Sequence, residues 1–165
     1  MANLLIAHGG GPTPVINASL RGVIEQAKKQ SQVNGIYGAR FGVEGVLKED
    51  FIDLGAQADT LIRGLSSTPA SALGSCRRKL KPEDYPRILD VFKKYDIRYF
   101  LYNGGNDSMD TCNKIAMLAK DSGYEMYVIG VPKTIDNDLM RTDHCPGFGS
   151  AARYVAVSTD RKSVV

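Results

Sequence analysis

Lys133, Thr134, Asp136 and Asp138 fall within one run, Pro132-Lys133-Thr134-Ile135-Asp136-Asn137-Asp138, directly after an apolar stretch at residues 126–131. A cation, a hydroxyl and two carboxylates at the end of a strand are the parts of a phosphoryl-transfer site. In such a site the catalysis is mostly positioning and electrostatic stabilisation, and an aspartate takes a hydroxyl proton. Two further turns have comparable chemistry. Gly104-Gly105-Asn106-Asp107-Ser108 follows the apolar residues 97–102, and Gly9-Gly10-Gly11 follows residues 4–7. Ligands of open α/β sheets bind outside the carboxyl ends of the strands, so three such turns define one candidate site.

Each turn also has a plain structural reading. Gly9-Gly10-Gly11 can serve only to turn the chain sharply, because glycine tolerates positive φ and close backbone approach. It can equally cradle an anion, because it opens onto a helix whose first amides are unpaired and whose dipole favours negative charge. It does not match G-x-G-x-x-G, since Pro12 and Pro14 interrupt the run, and it lacks the Gly-Lys-Ser or Gly-Lys-Thr of a Walker loop. Asp136, Asn137 and Asp138 can form an Asx-rich loop bonded to its own backbone. Lys133 beside them shifts the balance toward chemistry.

The elements that must position these turns follow from periodicity. Ile16, Leu20, Val23, Ile24 and Ala27 recur at helical spacing after the first glycine turn. Residues 35–37 and 51–54 are short strand candidates, and the glycine-containing connection between them is expected to form turns. Residues 65–80 show no period and read as a loop over the sheet's edge. Tyr85, Ile88, Leu89, Phe92 and Tyr95 restore a helix, with Pro82 near its first turn. Ser108 is expected to cap a further helix carrying Cys112 and Ile115, and Gly123 to end it. The β-α-β-α order predicts an α/β fold: three layers, doubly wound around a mostly parallel sheet.

Composition narrows the function classes. With 43% hydrophobic and 24% charged residues over 165 positions, the chain has the make-up of a globular domain rather than a disordered one. A net charge of +3, with no basic block, argues against a nucleic-acid partner. No stretch approaches the roughly 20 apolar residues that cross a bilayer, so a membrane partner is not expected either. Cys76, Cys112 and Cys145 are odd in number and lack metal-ligand spacing, which predicts reduced thiols and a cytoplasmic protein.

Four motifs in order resemble the phosphofructokinase family, specifically its pyrophosphate-dependent branch. Gly10-Gly11-Pro12-Thr13-Pro14-Val15-Ile16-Asn17-Ala18-Ser19-Leu20 is similar to that branch's opening signature, and Gly74-Ser75-Cys76-Arg77 to the family's Gly-Ser-x-Arg. Gly104 to Ser108 resembles its Gly-Gly-Asp turn. Pro132 to Asp138 resembles its most specific motif, followed by Thr142-Asp143-His144-Cys145-Pro146-Gly147-Phe148-Gly149-Ser150-Ala151.

The resemblance implies reversible transfer of a phosphoryl group from pyrophosphate to fructose 6-phosphate, giving fructose 1,6-bisphosphate and orthophosphate. Asp136 would be the base for the sugar 1-hydroxyl, with Thr134 and Asp138 near the sugar phosphate. Gly10 and Gly11 would hold the donor through backbone amides, Arg77 would neutralise the transferring group, and Lys133 would bind donor or developing charge. Asp107 stands where ATP-using members have glycine. Its carboxylate beside an α-phosphate would disfavour ATP by far more than tenfold, while pyrophosphate leaves that place vacant. Asn106 replaces a magnesium-ligating aspartate, so Mg²⁺ would be held chiefly by pyrophosphate and water, with Asp107 or Asp136 contributing. The alternatives are an ATP-dependent 6-phosphofructokinase and a non-catalytic phosphate-binding module.

Length also matters, because the family's chains run to about twice this one or more. Residues 1–159 are therefore expected to form an incomplete donor-binding first domain that is inactive alone, from a parent that is a homo-oligomer. Residues 160–165 leave the family pattern, match the translation of a common sequencing adaptor, and are expected to be a non-native tail.

Overall fold

In the computed structural model, which describes residues 1–13, 15–145 and 147–160, five strands form one sheet in the order β3-β2-β1-β4-β5. Pro14 and Pro146, both within the motifs above, and residues 161–165 of the expected tail lie outside the described residues. The strands are β1 (Ala2–His8), β2 (Val33–Ala39), β3 (Phe51–Asp53), β4 (Ile97–Gly104) and β5 (Tyr127–Pro132). The helices are α1 (Val15–Ala27), α2 (Val43–Lys48), α3 (Asp59–Gly64), α4 (Asp84–Lys94), α5 (Asn106–Asp121) and α6 (Phe148–Asp160).

β1 pairs in parallel with both β2 and β4, and β4 in parallel with β5; only the edge strand β3 runs antiparallel. From β1 the chain therefore runs outward through β2 and β3, then crosses back to β4 on the other side. The strand order reverses between β1 and β4, which is where a ligand crevice forms in sheets of this kind. The Gly9 and Gly104 turns sit at those two carboxyl ends.

The central strands read as near-continuous apolar runs because both of their faces are covered. On one face Leu4 and Ile6 pack with Leu20, Ile24 and Ile62 of α1 and α3. On the other, Leu5, Ala7 and Phe100 pack with Val46, Ile88, Phe92 and Ile115 of α2, α4 and α5. The sheet with a helical layer on each side is the three-layer, mostly parallel architecture expected. At the β5 edge the cover thins. Tyr127 and Ile129 are 55% and 53% exposed, and α6 buries none of its residues.

Three local expectations are corrected, and one helix appears where none was expected. The connection from β2 to β3 holds a helix, α2, because Val43, Val46 and Leu47 give it a buried face. The short helix α3 precedes the expected loop; it is closed onto the core chiefly through Ile62, too sparse a pattern to read as a period. Residues 65–80 begin with a 3-10 turn at Leu65–Ser67 and then cross the carboxyl end of β1, where Cys76 bridges Gly9, rather than a lateral edge. Ser108 is not the cap of α5, since that helix starts at Asn106 after extended Gly105, and Ser108 is buried inside its first turn. Gly123 ends α5 as expected. It has φ 65°, and the Tyr124 N–H reaches Ala119 O at 2.9 Å while its own N–H reaches Lys120 O at 3.1 Å.

The three cysteines are free thiols. Among the described residues no helix is long and apolar enough to cross a membrane.

Candidate active site

Two cations converge on the first glycine turn. Gly10 adopts φ 70°, a conformation that favours glycine, and a Cβ there would stand 3.5 Å from Lys133 Nζ. A Cβ on Gly11 would stand 3.2 Å from Arg77 Nη2. The turn therefore has an ammonium on one side and a guanidinium on the other, at the entrance to α1. Lys133 is carried there by β5, whose pairing continues past the strand end as the Lys133 N–H donates to Gly104 O at 2.9 Å. Arg77 is carried by the loop crossing β1: the Gly10 N–H donates to Cys76 O at 3.2 Å, and Ser75 Oγ donates to Gly10 O.

Neither cation has an ion-pairing carboxylate among the described residues. Lys133 is only 5% exposed, and burial, followed by the nearby Arg77, pushes its ammonium below the ordinary lysine range. A buried, unpaired cation is costly, which makes this a place that gains by taking up an anion.

The cleft beside the turn has a volume of about 810 Å³ and is lined by Gly10, Arg77, Asn106, Asp107 and Asp136, among others. Five of the residues singled out in the sequence are thus brought to one cavity. Thr134 and Asp138 are not among its lining residues. Their bonds organise the loop: the Asp136 N–H donates to Thr134 Oγ1 at 3.1 Å, and Asn106 Nδ2 donates to Asp138 Oδ2 at 2.8 Å. Thr134 and then Asn106 hold the Asp138 carboxyl below the usual carboxylate range. Asn137, at φ 57°, braces the same loop by accepting the Cys145 N–H at 2.7 Å and donating to Asp143 O at 3.1 Å.

Two expectations change with this geometry. The Gly10 amide is spent on Cys76 O and is not offered to a ligand, so Gly10 contributes the left-handed bend instead. Asp107, in the first turn of α5, is 84% exposed and lies 3.8 Å from Lys79 Nζ, so solvent and a counter-charge screen it.

Asn106 has committed its amide nitrogen to Asp138, and the described residues hold no group of three or more His, Cys, Asp or Glu side chains placed to share a metal.

Of the residues missed in the sequence, Lys79 stands beside Asp107 and His8 lies behind the glycine turn. His8, the last residue of β1, is fully buried, with Nδ1 2.7 Å from Ser71 Oγ. Its one signal was a polar residue ending an apolar strand just before the glycines. Burial first, and the Lys133 charge second, lower its pKa to about 4. An unfolded histidine binds its proton near pH 6.5, so below that pH the unfolded state gains protons that the folded state refuses. The contribution is complete above pH 6.5 and is lost as pH falls toward 4. Folding stability is expected to drop by about 2 kcal/mol between pH 7 and pH 5 on this account. Urea unfolding of wild type and His8→Asn across that range checks it: the mutant curve should be flatter, and parallel curves would assign the titration to other groups.

A family model described as phosphofructokinase matches residues 3–163. A curated relative, the pyrophosphate–fructose 6-phosphate 1-phosphotransferase of Xanthomonas campestris pv. campestris, is 52% identical over 161 residues, covering 94% of this chain and 38% of the relative. The solved pyrophosphate-dependent phosphofructokinase of Nitrosospira multiformis superposes with a TM-score of 0.92 at 52% identity, covering 99% of this chain and 41% of that one. That of Marinobacter aquaeolei superposes with a TM-score of 0.90 at 48% identity, again covering 99% and 41%. The chain spans about two fifths of the length of these relatives.

Proposed function

This chain belongs to the phosphofructokinase family, and from that premise we propose that it forms the donor half of a pyrophosphate:fructose 6-phosphate 1-phosphotransferase site. The observation that carries the reading is the pair of cations, Lys133 and Arg77, on either side of Gly10 and Gly11, without carboxylate partners among the described residues. The names of the relatives supply the donor and acceptor.

In this reading pyrophosphate lies against Gly11 at the entrance to α1, and its charge is met by Lys133 and Arg77. The sugar approaches from the Asp136 side of the cleft. As the sugar 1-oxygen bonds to the transferring phosphorus, the phosphorus–oxygen bridge of pyrophosphate breaks and orthophosphate leaves. The hydroxyl proton passes to Asp136. Thr134 and Asp138 serve the sugar end by fixing the loop that presents Asp136. A Mg²⁺ ion would be held chiefly by pyrophosphate oxygens and water, with Asp107 or Asp136 contributing, and would neutralise charge on the donor. Residues 1–159 act as the donor-binding domain of a cytoplasmic, homo-oligomeric parent, and neither nucleic acid nor membrane is a partner.

Calorimetric titration of the chain with magnesium pyrophosphate, beside a coupled assay with fructose 6-phosphate, tests this. Weak binding with negligible turnover is expected. Undetectable binding would sink the donor site, and appreciable steady turnover would show that the site is not a half.

Asp107 makes the donor choice testable. Like charges at ~4 Å cost about fivefold in a water-like dielectric and about a thousandfold at an effective dielectric of ~20. The exposure of Asp107 puts it near the lower limit. In a chimera joining residues 3–160 to the remainder of the Xanthomonas relative, Asp107→Gly should shift kcat/KM about tenfold toward ATP relative to pyrophosphate. A chimera that prefers ATP before mutation would favour the ATP-dependent alternative.

A further inference from the structure

The loop carrying Arg77 lacks helix or strand structure from residue 68 to residue 77, apart from the Cys76 bridge, yet it has to hold a guanidinium over Gly11. What fastens it is a set of side-chain ties to the sheet and α1. Asn17 donates to Thr68 O at 2.8 Å and accepts the Ala72 N–H at 2.8 Å. Between that anchor and Arg77 the chain bends at Gly74, φ 71°, and the bend is pinned from inside by Ser71, whose Oγ donates to Gly74 O at 2.8 Å.

A hydroxyl has one hydrogen, and that of Ser71 is committed to Gly74. The contact between Ser71 Oγ and His8 Nδ1 therefore requires the proton to sit on Nδ1, with Ser71 accepting. His8 Nε2 is left as a lone pair, buried and without a partner among the described residues. An unsatisfied buried acceptor is a cost that an apolar residue at the end of β1 would avoid. A neutral imidazole, though, donates to Ser71 without placing a third positive charge beside Lys133 and Arg77. Lysine or arginine could not do so.

We propose that His8 is a positioning residue for the anion cradle, its Nδ1–H fixing the Ser71–Gly74 bend and through it the placement of Arg77 over Gly11. The role rests on the anion-site reading above, but the hydrogen-bond chain does not, so the two can fail separately.

A proton–nitrogen correlation spectrum of the imidazole in the intact chain gives the first test. Nδ1 should carry the proton at pH 7, and a protonated Nε2 would overturn the proposal outright. Two variants give the second. In His8→Asn the side-chain amide nitrogen takes the place of Nδ1, whereas in His8→Gln it reaches the place of Nε2. Pyrophosphate affinity by calorimetry should fall roughly tenfold in His8→Gln and stay within about threefold in His8→Asn. Equal loss in both, or loss in neither, would overturn the positioning role. If wild type itself fails to bind pyrophosphate, the anion reading falls. The His8 chain is then judged by backbone amide shifts at residues 74–77: displacement in His8→Gln but not in His8→Asn supports it, and any other pattern ends it.

Discussion

Replacing Asp136 with serine should lower kcat by roughly 10²- to 10⁴-fold, the usual cost of losing a general base, with KM for fructose 6-phosphate unchanged within a few-fold. The measurement belongs in the chimera described above, because the chain spans about two fifths of its relatives. The expectation rests on placement. Asp136 lines the same cleft as Arg77 and Gly10, and its backbone is fixed by the bond from its N–H to Thr134 Oγ1. Of the two carboxylates in the run, it is the one not bonded to a neighbouring side chain, since Asp138 accepts from Asn106. A group that only receives a proton as the transition state forms contributes little to ground-state binding, which is why kcat should fall while KM holds. Asp138→Asn provides the contrast: it weakens a loop tie, so it should raise KM more than it lowers kcat. Asp136→Ser with intact kcat would make Asp136 an Asx-turn residue.

How much of this could be read from sequence follows from which forces act locally. α1 and α4 were legible because Ile16, Leu20 and Ile24, and Ile88, Leu89 and Phe92, repeat at helical spacing against a broad core. α2 and α3 were not, because a six-residue helix shows at most two turns of pattern and is held by tertiary burial of Val43, Val46 and Ile62 rather than by propensity. At the site, residue types with evident chemistry were found: Lys133, Arg77, Asp107 and Asp136 all reach the glycine turns or the cleft. What sequence could not supply was the state of each group once folded. The spent amide of Gly10, the screening of Asp107 by Lys79 and the amide–carboxylate bond of Asn106 to Asp138 depend on partners 28 to 66 positions away. His8 escaped for the same reason, its partner Ser71 lying 63 residues along the chain.

The largest effect measurable on the chain itself should come from Lys133→Met, which keeps most of the side-chain volume and removes the charge. Affinity for pyrophosphate should fall roughly 10- to 100-fold, as for the loss of a charge-assisted hydrogen bond. Folding stability should move the other way. Lys133 is 5% exposed without a carboxylate partner among the described residues, and burial and Arg77 both disfavour its charged form, so without a bound anion the ammonium is held at a cost that methionine does not incur. A higher urea midpoint together with weaker pyrophosphate binding is the signature of a residue kept for its ligand rather than for the fold. At the same pyrophosphate concentration the ligand should then stabilise wild type more than the mutant, because a ligand at free concentration L that binds only the folded state stabilises it by RT ln(1 + L/Kd), which is larger for the tighter binder. A Lys133→Met chain that is less stable, or that binds pyrophosphate as tightly as wild type, would place the ammonium outside the donor site and leave Arg77 alone to hold the anion.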